Sequence, residues 1–101
     1  MASRRFVYIL RSDTDPNRHY VGLTSDVGER LHWHNSGPSG VTLHHRPWSV
    51  VVSLEFADAS LASRFERYLK TGSGRAFASR HFGDRDTVAR SLAGESARKA
   101  P

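Results

Sequence analysis

RFVYILRSDTDPNRHYVGLT, residues 5–24, holds two strand-like runs separated by a turn cluster. Phe6 to Leu10 is continuously apolar and rich in β-branched and aromatic side chains, the composition of a strand buried on both faces. SDTDPN, 12–17, is a turn cluster. His19 to Leu23 then reads as a second strand, the antiparallel partner of the first. That pairing puts Tyr8 and Tyr20 on one sheet face. Gly22 lies inside the second strand, where a glycine often marks close approach of a ligand or another backbone.

Working outward, Asp26 with Glu29 three residues on has the spacing of a capping box, opening a helix that runs to about Asn35 and stops at Ser36-Gly37-Pro38. Its inward line is Val27, Leu31 and His34. GPSGVTLHHRP, 37–47, reads as loop. In the strand that follows, Trp48, Val50, Val52, Leu54 and Phe56 alternate onto one face. Asp58 or Ser60 caps the next helix, with Leu61, Phe65, Tyr68 and Leu69 as its apolar stripe and Gly72 as its stop. A short helix follows from Arg75 to His81, burying Phe77, and Thr87 to Leu92 supplies a last turn or two. The order β-β-α-β-α-α predicts an α+β fold: a three-stranded, mainly antiparallel sheet flanked by helices. Residues 1–83 form the domain and 84–101 a short helical or frayed basic tail.

Composition narrows the function classes. At 101 residues and 38% hydrophobic content, the chain supports one modest core. Cysteine is absent, which removes disulfides and thiolate metal sites and fits a reducing cytoplasm. The apolar run near the N-terminus breaks at Arg11, too short for a signal sequence. No stretch approaches the roughly 20 apolar residues that span a bilayer. Charge is unevenly placed. Residues 1–63 hold six basic and six acidic residues, whereas 64–101 hold nine basic and four acidic, a net of +5. Seven of those nine are arginines, whose planar guanidinium donates two parallel hydrogen bonds to phosphate. A nucleic-acid partner accounts for such a segment better than a membrane surface does.

Several residues carry candidate chemistry. A phenol titrates near ~10, and acts as a base or water-orienting group only when a cation stabilises its phenolate. Tyr8 and Tyr20 are candidates on that ground, against ordinary sheet packing. Arg30 and His34, at i and i+4, put a phosphate-gripping cation beside a group that titrates near neutrality; a core histidine is the alternative. Glu66 with Lys70 at i+4 is either a surface ion pair or a carboxylate for Mg²⁺. KTGSGRAF, 70–77, lacks the GxxxxGK[ST] pattern but opens a helix whose N-terminus, with Lys70 and Arg75 nearby, is a seat for phosphate. The six histidines lack the partners and spacing of a zinc site.

Taken together, these residues resemble the GIY-YIG nuclease family, in particular its small single-domain bacterial members. The two family tripeptides correspond to Val7-Tyr8-Ile9 and Tyr20-Val21-Gly22, followed by Arg30, then His34-Asn35, then Phe65-Glu66-Arg67-Tyr68-Leu69-Lys70 and TGSGRAF. Val7 stands in place of the first tripeptide's glycine, Leu23 where some relatives carry lysine, and no late asparagine matches the homing-endonuclease branch. The resemblance implies a DNA endonuclease dependent on one Mg²⁺ or Mn²⁺, in repair or recombination, with Glu66 as metal ligand. Tyr8, Tyr20, Arg30 and His34 complete the implied catalytic set, with the base open among Tyr8, Tyr20 and His34. Gly22, Lys70, Arg75 and Arg80 are the candidates for contact with nicked, branched or single-stranded DNA. A non-catalytic DNA-binding module and an RNA-directed nuclease are the rival readings, and a protein partner could supply specificity.

Overall fold

The computed structural model describes residues 4–83. Its elements are β1 (Arg5–Ser12), β2 (His19–Thr24), α1 (Val27–Ser36), a 3₁₀ turn (Val41–Leu43), β3 (Trp48–Phe56), α2 (Ala59–Leu69) and α3 (Gly72–Phe82). The sheet is antiparallel in the order β2-β1-β3. The expected α+β order of strands and helices is therefore present. The expected turns at Thr87–Leu92 and the tail at 84–101 lie outside the described residues.

β1 is central because its apolar run leaves neither face to water: Val7, Tyr8, Ile9 and Leu10 are all buried. Alternation along the strand then divides them between two cores. Val7 and Ile9 pack with Ala62 and Leu69 of α2, joined by Val52, Phe56, Phe65 and Phe77. Tyr8 and Leu10 pack with Trp48, joined by Tyr20, Val27 and Leu31. Helices α2 and α3 thus cover one face and α1 the other.

Two expectations about apolar patterning fail. The residues of β3 do not keep one face. The β1–β3 register shifts between Ile9 and Leu10, where Val52 opposes Ile9 but Val50 opposes Leu10, so Val51 is an extra residue in a β-bulge. The bulge sends Trp48 to the Tyr8 side and Val52 and Phe56 to the Val7 side, and leaves Val50 exposed. In α2 the buried line is Ala62, Phe65 and Leu69, whereas Leu61 and Tyr68 are exposed at its edges.

The helix ends follow local chemistry. Asp26 accepts from the Glu29 N–H at 3.0 Å and Asp58 from the Leu61 N–H at 2.9 Å, satisfying donors that a first turn leaves open. The Asp26 N–H itself donates to Thr24 Oγ1. Gly72 does not end α2. It begins α3, which is capped by Thr71 Oγ1 accepting from the Gly74 N–H. The two helices therefore join through Lys70 and Thr71 alone, and Gly74 lies so close to the Tyr68 carbonyl that a β-carbon would overlap it. Glycine there is a condition of the tight junction.

Candidate active site

The centre of the site is a buried chain of hydrogen bonds rather than an open row of charges. The Tyr8 hydroxyl lies 2.8 Å from His34 Nε2, and His34 Nδ1 lies 2.7 Å from Thr42 Oγ1. All three residues are at most 1% exposed. The Thr42 carbonyl accepts from the Trp48 indole N–H at 2.9 Å, which ties the 3₁₀ turn to β3. Arg46 donates to the carbonyls of His34 and Gly37, holding the last turn of α1 in place. Tyr20 adds its ring at 4.8 Å from the His34 ring and 6.3 Å from the Tyr8 ring, centroid to centroid.

The two tyrosines meet because of register. Leu10 opposes Tyr20 and Tyr8 opposes Gly22, so both phenols share the α1 face. The close approach that a strand glycine signals is made here by the Tyr8 ring itself: a β-carbon at Gly22 would overlap the phenol's outer atoms. Gly22→Ala should therefore displace the ring and break the bond to His34. Overpacking of this kind costs about 1–3 kcal/mol, and urea unfolding should read that loss, with the near-ultraviolet tyrosine signal altered. Unchanged stability and spectrum would mean the ring has room elsewhere.

Electrostatics set the proton positions. Burial raises the Tyr8 phenol above its ordinary value, the nearby Arg30 guanidinium opposes this, and Tyr20 and Glu66 add to the rise. Burial also lowers the His34 imidazole, helped by the charges of Arg30 and Arg46. The phenol is thus held protonated and the imidazole neutral. A neutral imidazole has one donor and one acceptor nitrogen, so when Nδ1–H donates to Thr42 Oγ1, Nε2 accepts the Tyr8 proton. Arg30 lies with its guanidinium carbon 5.0 Å from the Trp33 ring centroid, within cation–π range.

Because His34 in the fold holds its proton less tightly than in the unfolded chain, its contribution to stability is full above the ordinary imidazole value of 6.5 and is lost as pH falls below it. The melting temperature should drop between pH 7.5 and 5.5, and His34→Gln should flatten that slope. A slope unchanged in the variant would assign the effect to other groups.

Glu66 is on α2, its side chain 15% exposed, and its Oε2 lies 2.5 Å from the Lys70 ammonium. Its charge is felt at the Tyr8 phenol. The ammonium marks where this carboxylate accepts positive charge. Among the described residues no three histidine or acidic side chains gather as metal ligands. One half-buried carboxylate suits a hard cation such as Mg²⁺, which keeps waters and substrate oxygens as its other ligands, and does not suit Zn²⁺.

Lys70 and Arg75 both line a cleft of about 500 Å³ between β2 and α3. Arg80 is exposed in the last turn of α3, outside that lining. The expected phosphate seat at the start of α3 is partly taken, since the Gly74 N–H already donates to Thr71.

The sequence profile of the GIY-YIG catalytic domain matches residues 4–79. The chain belongs to the GIY-YIG family. It is thus a domain of a nuclease family whose substrates are nucleic acids and whose members generally use a divalent metal ion. No curated protein matches the chain. In this GIY-YIG domain the two signature tripeptides are neighbours on paired strands, and their tyrosines flank His34. Among the described residues no helix is long and apolar enough to cross a membrane.

Thr42 and Arg46 are the participants that sequence reasoning missed. Thr42 is buried while its neighbours Val41 and Leu43 are 79% and 40% exposed. That is the reverse of hydropathy order, and the loop's histidine pair draws attention away from it.

Proposed function

We propose that this GIY-YIG domain is an endonuclease that hydrolyses DNA phosphodiester bonds with one Mg²⁺ or Mn²⁺, acting in the cytoplasm on repair or recombination intermediates. The observation that carries the reading is the buried Tyr8–His34 hydrogen bond at 2.8 Å with Arg30 beside it. Ordinary sheet packing does not require a protonated phenol facing a neutral imidazole.

Glu66 would hold the metal after Lys70 swings aside, and the ion would supply Lewis-acid polarisation of a phosphoryl oxygen. Tyr8 orients the attacking water and accepts its proton as the phenol's own proton passes to His34 Nε2. In the tautomer that serves this step Nδ1–H donates to Thr42 Oγ1, leaving Nε2 open to the phenol's proton. Tyr20 packs against both rings and limits their rotation. Arg30 stabilises negative charge growing on the phosphoryl oxygens. Gly22 acts through the ring position it permits. Lys70, once released, and the exposed Arg75 and Arg80 engage the strand backbone, giving affinity that falls steeply with salt.

The test is a panel of single-stranded, nicked, branched and duplex DNA, with matching RNA, incubated in Mg²⁺, Mn²⁺ or EDTA. Cutting of DNA in metal and none in EDTA is expected, strongest on nicked or branched forms. Binding without cutting in any metal would replace this reading with a non-catalytic module. Cutting confined to RNA would replace the substrate.

A further inference from the structure

The cleft between β2 and α3 has a chemistry that backbone binding does not explain. Its lining is mainly apolar, from Ile9, Val21, Leu69 and Phe82, with Asn17, His19 and Ser79 as polar members and Lys70 and Arg75 as its cations. A phosphate gains nothing from apolar walls. A duplex is too wide for a space of about 500 Å³, but one nucleotide is not. β2 is an edge strand, and the cleft reaches around it to Tyr20, the same residue that packs against Tyr8 and His34. Lys70, part of the lining, is ion-paired with Glu66. A group filling the cleft therefore lies against Tyr20, which packs on Tyr8 and His34, and against Lys70, the partner of Glu66.

We propose that this cleft is a subsite for one unpaired nucleobase flanking the scissile phosphate. The proposal rests on the nuclease reading and names the feature of the substrate that is recognised. The base enters between the apolar walls and stacks on the available aromatic surface. The exposed Arg75 guanidinium meets the phosphate of the same nucleotide. Stacking is sequence-tolerant because every base has a π-face, and extrusion is least costly for a base that has already lost its partner. Selection for gaps, flaps or loops then follows from the fold without an added domain.

The experiment uses the full chain in EDTA, so that no cutting is needed. 5-Iodouracil is placed in turn at paired and unpaired positions of gapped DNA and of the matching RNA, and photo-crosslinks are mapped by mass spectrometry. Crosslinks to Tyr20 or Phe82 from an unpaired position are expected, from either sugar, and the stronger arm identifies the sugar preferred. Ala78→Trp fills the cleft and should reduce that crosslink about tenfold, the scale of one lost base stack. Ser79→Trp, at an exposed position of the same lining, should do the same if Ala78→Trp does not fold. Equal crosslinking from paired positions, crosslinks elsewhere, or indifference to both variants would overturn the subsite. Metal-dependent cutting without these crosslinks leaves the nuclease and removes the subsite, whereas crosslinks without cutting do the reverse.

Discussion

Glu66→Ala is expected to lower metal-dependent cleavage by about 10³-fold, since an ion's stabilisation of transition-state charge is worth several kcal/mol and each 1.36 kcal/mol is tenfold in rate. The variant should remain folded. The lost pair with Lys70 is half exposed on the lysine side, and such pairs contribute at most about 1 kcal/mol. Nucleic-acid binding in EDTA should hold or tighten, because removing the carboxylate frees the Lys70 ammonium. Single-turnover cleavage with a parallel binding isotherm measures both. Rates within a few-fold of the parent would mean that the metal is held elsewhere or that the activity belongs to a contaminant. A large loss of binding would mean that Glu66 shapes the groove instead.

Tyr8→Phe is expected to have the second largest effect. It keeps the ring that packs over Gly22 and removes only the hydroxyl that meets His34 Nε2. General acid–base participation is worth about 10²–10⁴-fold, and the loss should appear in kcat with KM little changed. Leaving the buried Nε2 without its partner should also cost about 1–3 kcal/mol of stability. A variant that keeps full kcat would reduce Tyr8 to a packing residue and shift the base to Tyr20 or His34.

How much of this could be read from residues alone depended on the range of the interaction. β1 was legible because five consecutive apolar residues with β-branching fit a strand buried on both sides. The caps at Asp26 and Asp58 were legible because a cap spans three residues. The Glu66–Lys70 contact was legible because i and i+4 are neighbours on any helix. The bulge at Val51 was not: a run of three valines satisfies either register, and only pairing with β1 selects one. The exposure of Leu61 and Tyr68 was not, because α3 and the sheet decide which part of a broad stripe is covered. Thr42 was the least accessible, since its role depends on a turn folding back onto His34 across a loop that sequence reads as unstructured.

Under the proposed function, Tyr8, Tyr20, Arg30, His34 and Glu66 would surround one place where a divalent ion and a backbone phosphate meet, and paramagnetic broadening by Mn²⁺ reads that arrangement. Titrated into the chain bound to a non-cleavable oligonucleotide, Mn²⁺ should broaden the ring proton signals of Tyr8, Tyr20 and His34 first and most steeply, and Glu66→Gln should abolish the effect. Ring signals that stay sharp at saturating Mn²⁺, or broaden equally in the Glu66→Gln protein, would contradict it.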